Sequence, residues 1–132
     1  MQEKNNNVLT LIVIAVLGWL VPGGGYFYMR QNFRAIVSFV VIAGIFVLGI
    51  YLGSIAVVDP VGAKIWYLAQ ILTSPAVGII GHVTAGGGYY SYGRPGEFGQ
   101  LYTTIAGLLN LFCIVNSVYL AHSGTTQMEE GK

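Results

Sequence analysis

The chain has 132 residues, 55% of them hydrophobic and only 8% charged, with a net charge of +1. A soluble domain carries about 25% charged residues, so this chain lacks the polar groups to cover a surface in water. The near-neutral balance gives nucleic acid no electrostatic footprint, and a single cysteine, Cys113, excludes an intrachain disulfide and the multi-cysteine metal patterns.

The charges fall at Glu3, Lys4, Arg30, Arg34, Asp59, Lys64, Arg94, Glu97, Glu129, Glu130 and Lys132. None interrupts 5–29, 35–58, 65–93 or 98–128. A membrane-spanning helix needs about 20 mostly apolar residues. The pattern therefore predicts four spans.

The first span is expected over 8–21, with Asn5, Asn6 and Asn7 as helix caps and Pro22 with three glycines as its stop. Glu3 and Lys4 cancel where a secretion signal would be basic, so this run is read as retained. At ~14 residues it rises only ~21 Å, less than a bilayer core of about 30 Å. The glycine-aromatic knot that follows, Gly23, Gly24, Gly25, Tyr26, Phe27 and Tyr28, then lies at or below the interface. The second span, 35–58, is the most apolar and carries Gly49 and Gly53, a small-xxx-small pair that lets helix backbones approach. The third, 65–85, is expected to kink at Pro75, with Thr73 and Ser74 serving freed backbone groups. A second knot follows: Gly86, Gly87, Gly88, Tyr89, Tyr90, Ser91 and Tyr92. The fourth span, 101–121, carries Asn110 and Asn116.

The knots stand 63 residues apart, and 8–58 can be laid on 71–121 with twelve of 51 pairs identical. The matches include Gly18 with Gly81, the three glycines and Tyr26 with Gly86 to Tyr89, and Ile42-Ala43-Gly44 with Ile105-Ala106-Gly107. The expected fold is thus an all-α integral membrane protein: four transmembrane helices as two parallel-repeat hairpins. It forms a single membrane domain, 1–132, with a first hairpin over 5–60, a second over 61–123 and a polar tail over 124–132. Four spans put both knot loops on one side with Arg30, Arg34 and Arg94. The positive-inside rule makes that side cytoplasmic and both termini external, in a multi-pass inner-membrane protein.

The knots lack the Lys-Ser/Thr of a phosphate loop and the βαβ unit of a dinucleotide site. They are read as turns, with Gly23, Gly24, Gly25, Gly49, Gly53, Gly86, Gly87, Gly88 and Asn110 serving packing or turns. Arg30 and Arg34 are candidate lipid-headgroup contacts. The segment Trp19-Leu20-Val21-Pro22-Gly23-Gly24-Gly25-Tyr26-Phe27-Tyr28-Met29-Arg30 resembles the short two-helix membrane domain in which a Gly-rich helix end leads into a Phe-Tyr pair. Together with Ala106-Gly107-Leu108-Leu109-Asn110, it also resembles a bacterial family of small multi-span proteins of unknown function. The sequence departs from the two-helix pattern at Arg30, where a glycine often stands. The resemblance implies a prokaryotic membrane protein and supplies no catalytic residues.

His82 and His122 are expected near opposite membrane faces, which prevents one haem iron from bridging both. His82 alone is the candidate ligand for a haem or chlorophyll; otherwise no cofactor or metal is expected. No Ser-His-Asp set falls on one face and no carboxylate lies inside a span, so no enzyme is expected. The first functional expectation is a non-catalytic structural or accessory subunit, with the lipid bilayer, other membrane subunits or further copies of itself as partners. The second is a small oligomeric transporter or channel, and the third a pigment- or haem-binding antenna or electron-transfer subunit.

Overall fold

The computed structural model describes residues 2–88 and 94–130, with side chains over 5–88 and 95–124. All regular structure among them is helical. The order is α1 (Gln2–Leu20), α2 (Gly24–Tyr28), α3 (Asn32–Gly53), a 3-10 turn (Ile55–Val57), α4 (Lys64–Ile71), α5 (Ala76–Gly87) and α6 (Arg94–Glu130). Two helices are long and apolar enough to cross a membrane, Asn32–Gly53 in α3 and Pro95–Gly124 in α6. Only 17% and 28% of these stretches are buried, whereas the core helix of a soluble domain is mostly buried. The apolar part of α1, Asn5–Leu20, and α5 are shorter.

The helix α6 is the spine, in contact with α1, α2, α3, α4 and the 3-10 turn. Its buried residues Gly99, Thr103, Ala106, Gly107, Asn110 and Ser117 recur at helical spacing and form one stripe. Small and polar groups dominate that stripe, so neighbouring backbones come close. The clearest case is α3, which runs antiparallel to α6. A Cβ on Gly49 would lie 2.7 Å from Thr103 Cγ2 and 2.9 Å from the Gly99 carbonyl oxygen, and a Cβ on Gly53 would lie 3.0 Å from Gly99 Cα. At the other end, Cys113 Sγ faces Ser38 Oγ at 3.7 Å.

Both remaining helical runs fold back on themselves. After Leu20 the chain turns at Pro22 and Gly23, whose φ of 80° is left-handed and suits glycine. The five-residue α2 then returns along α1. A Cβ on Gly24 would strike the Leu17 carbonyl, and one on Gly25 would lie 3.1 Å from Ile14 Cγ2. The third run behaves alike. Beyond Ile71 the chain turns through Thr73, Ser74 and Pro75, and α5 returns along α4, bringing Gly81 against the Tyr67 ring and Gly78 near Ile71. The two arms end at adjacent carbonyls: Gln70 Nε2 donates to Val57 O at 3.2 Å, and Thr84 Oγ1 donates to Val58 O.

Distances along α6 give the direction of each hairpin. The α1–α2 hairpin meets it at Asn110, Ile114, Asn116 and Ser117, from the C-terminal end. The α4–α5 hairpin meets it from the N-terminal end, at Thr103, Gly107 and Asn110. The two hairpins therefore approach from opposite ends and touch at their tips.

This corrects two expectations. The run 65–85 is not one kinked span, because Tyr67, fourteen residues before Gly81, packs on it; a continuous helix would separate them by ~21 Å. The four-helix arrangement of two parallel hairpins therefore does not hold. Nor do the knots share one end. Gly23, Gly24 and Gly25 lie in the α1–α2 hairpin, whereas Gly86, Gly87 and Gly88 end α5 just before α6 begins, at the opposite end. Tyr89, Tyr90, Ser91 and Tyr92 lie outside the described residues.

The substitution Gly49→Val forces two branched methyls between α3 and α6. Overpacking of this kind costs about 1–3 kcal/mol. The expected outcome is a lower thermal unfolding midpoint of purified protein in detergent, with little change for Gly44→Val, since a Cβ on Gly44 meets nothing within 4 Å.

Candidate functional site

Where the hairpin tips meet, two helices end in the interior. A helix C-terminus leaves its last carbonyls without intrahelical donors and carries partial negative charge. Here α1 and α4 both direct such ends to one place. Three side chains supply donors. Asn110 Nδ2 lies 3.0 Å from Gly18 O, 2.9 Å from Leu72 O and 2.9 Å from Thr73 O. Trp19 Nε1 crosses from the first tip to Ile71 O at 3.0 Å. Ser74 Oγ crosses back to Leu20 O at 3.1 Å.

Asn110 is fully buried. Its surroundings fix the orientation of its amide: three carbonyl oxygens around one atom require the nitrogen there. Its two hydrogens serve three acceptors, so one is shared. Its Oδ1 is buried and accepts no hydrogen bond, as is true of Gln70 Oε1 and the Thr73 and Thr104 hydroxyl oxygens. Gln70, also fully buried, spends its nitrogen on Val57 O and on Thr103 Oγ1 at 2.8 Å. A column of amides and hydroxyls therefore lines the α4–α6 contact. It contains no titratable side chain, and it offers hydrogen-bonding capacity rather than acid–base chemistry.

The other sequence-predicted residues lie apart from this junction. Gly49 and Gly53 face Gly99 near the N-terminal end of α6, while Gly86, Gly87 and Gly88 are exposed. His82 is exposed on α5, on the side away from Gly81 and Thr84, and no group of three or more His, Cys, Asp or Glu able to hold a metal occurs among the described residues. Arg30 and Arg34 flank the start of α3, at the end of the bundle opposite Asp59 and Glu97. Sequence reasoning missed Gln70, Thr103, Thr104 and the partners of Trp19. Ser74 serves freed local backbone as expected, accepting from Ala76 N–H at 3.3 Å, and it also donates to a carbonyl 54 residues away. A glutamine in an apolar run three residues before Thr73 was the available signal.

The substitution Asn110→Leu leaves three carbonyls unserved in an apolar interior. Membrane interhelical hydrogen bonds contribute about 0.6–2 kcal/mol each, so this variant is expected to lower the unfolding midpoint more than Asn116→Leu. The latter loses one bond, to the Tyr26 hydroxyl at 2.6 Å. Thermal unfolding of both variants in the same detergent checks the order.

Comparison with known proteins adds a family. No curated protein and no solved structure matches the chain. A family described as of unknown function (DUF6677) matches residues 13–131, nearly the whole chain including both hairpins, the junction and α6. The chain therefore belongs to DUF6677, a family of unknown function.

Proposed function

We propose that the protein is an integral membrane subunit that works by assembling with other membrane helices. In this reading α3 and α6 cross the bilayer, and α1–α2 and α4–α5 are re-entrant hairpins that meet at mid-depth. The observation that carries it is an open groove of about 450 Å³ along the first hairpin's turn, where Pro22, Gly23 and Gly24 face Ala35, Ile36 and Phe39 of α3. Irregular backbone at membrane depth persists only where protein covers it or water reaches it. The lining is almost wholly apolar, which favours a covering helix over water.

The same topology revises the orientation. Arg30, Arg34 and Lys4 share an end with the start of α1 and the close of α6, against Lys64 and Arg94 at the other. The positive-inside rule then puts the termini in the cytoplasm, the reverse of the external termini expected from four spans. A cysteine at Gln31 in a Cys113→Ser background is expected to resist an impermeant maleimide on intact cells, and one at Gly62 to react.

The assembly reading is tested by a photo-crosslinking residue at Ile36 or Phe39. Capture of a second chain there, together with copurification in mild detergent, is the expected outcome. A chain that stays single, with no adduct, removes the reading. A transporter or channel is the second reading, favoured by two half-helices ending at Asn110 beside unpartnered buried oxygens. Liposome flux by the native protein supports it, and unaltered flux in Asn110→Leu takes Asn110 out of any pathway. For a pigment or haem at His82, the exposed position on α5 supplies one ligand and no described second, and an absorption spectrum of the purified protein decides it.

A further inference from the structure

The bundle has a second hollow of different character, between the first hairpin, the start of α3 and the C-terminal half of α6. Tyr26, Arg34, Ser38 and Asn116 supply its polar wall and Val37 and Leu120 its apolar one, around about 450 Å³. Through Phe33 and Arg34 it adjoins another hollow of about 520 Å³, which Arg30 also lines.

Most of the polar groups present here offer donors, Gln31 Oε1 beside the adjoining hollow being an acceptor. Asn116 Nδ2 donates to the Tyr26 hydroxyl, so the phenol keeps its own hydrogen for a further acceptor. Ser38 Oγ accepts from Cys113 and likewise keeps its hydrogen. Neither guanidinium is ion-paired with a described residue. The acidic residues with described side chains, Asp59 and Glu97, belong to the opposite end. The first turn of α3 has no side-chain cap, which adds partial positive charge beside Arg34.

Arg30 adds an independent observation. Its φ is 59°, in the left-handed region. That conformation is strained for a non-glycine residue. An arginine thus occupies a backbone site suited to glycine, and it lines the adjoining hollow.

We propose that this cleft binds the phosphate-bearing headgroup of an anionic phospholipid, held by Arg30 and Arg34 with Tyr26 and Ser38 as further donors. The acyl chains run along the exposed Phe33, Val37 and Val40 face of α3. The site shares with the assembly reading only its membrane placement and does not require a partner chain.

The test uses purified full-length protein in a neutral detergent, titrated with phosphatidylglycerol, phosphatidylcholine or inorganic phosphate, and read as the thermal unfolding midpoint. Phosphatidylglycerol is expected to raise the midpoint saturably and the other two to leave it. Arg34→Gln is expected to weaken the response about tenfold, the loss of a charge-assisted contact. Arg30→Gly is the sharper variant. It relieves the left-handed strain, so its midpoint without lipid stays equal or rises, while its response to phosphatidylglycerol falls. An equal shift with phosphatidylcholine overturns the charge recognition, and an equal shift with inorganic phosphate overturns the lipid source. An undiminished response in both arginine variants overturns the site. Release of the native protein from membranes by alkaline carbonate would instead count against membrane placement itself.

Discussion

One side-chain amide joins the two hairpin tips of this protein to the long helix α6. Asn110 sits at the middle of α6 and donates to carbonyls from α1 and from the end of α4. Without it, two helix C-termini would face each other in an apolar interior, each with unserved carbonyls and partial negative charge. The requirement is specific. A charged donor would need a counter-charge to be tolerated there, and a hydroxyl has one hydrogen for three acceptors. A primary amide supplies two hydrogens without charge, and Trp19 and Ser74 complete the set from the tips themselves.

The rest of the architecture follows from keeping that contact short. The tips reach α6 because the neighbouring positions are small. A side chain on Gly107 would strike the Ala69 carbonyl, and a Cβ on Gly18 would lie 3.0 Å from Ile114 Cγ1. Close backbone approach and amide bridging are thus two parts of one solution: glycine lets the carbonyls arrive, and asparagine serves them. At the far end of α6 the same logic recurs with Gly49, Gly53 and Gly99, where backbone meets backbone without an amide.

Much of this was legible in the sequence, but not the direction of the turns. Apolar runs bounded by charges marked the helices, and Asn110 was placed inside the fourth run as a packing residue. Pro75 marked the break in the third run. A proline, however, specifies only that a helix is interrupted, and a kink and a reversal satisfy that equally. Reversal is selected by contacts distant in sequence: Tyr67 on Gly81, Ser74 on Leu20, and Gln70 and Thr84 on adjacent carbonyls. The expectation that both knots share a side had the same source. Once each apolar run is counted as a crossing, both knots must share a side, and no local feature corrects the count.

The repeated pattern takes a different meaning in the folded chain. Each half places a short returning hairpin before a long helix: α1, α2 and α3, then α4, α5 and α6. The halves enter from opposite ends, so their relation is inverted rather than parallel. The sequence matches follow this only in part. An offset of 63 pairs Ile42-Ala43-Gly44 of α3 with Ile105-Ala106-Gly107 of α6, yet it sets Pro22 opposite Ala85 and not Pro75. The long helices therefore carry matches in sequence without matching contacts, since Gly44 meets nothing while Gly107 packs on Ala69, and the hairpins reach similar shapes by different means. In the first a left-handed glycine at Gly23 makes the turn, and in the second Pro75 begins the returning helix. A chain built this way has its two most irregular backbone segments against one asparagine. That concentrates in a single residue both the cohesion of the bundle and its unspent hydrogen-bonding capacity, the buried Oδ1.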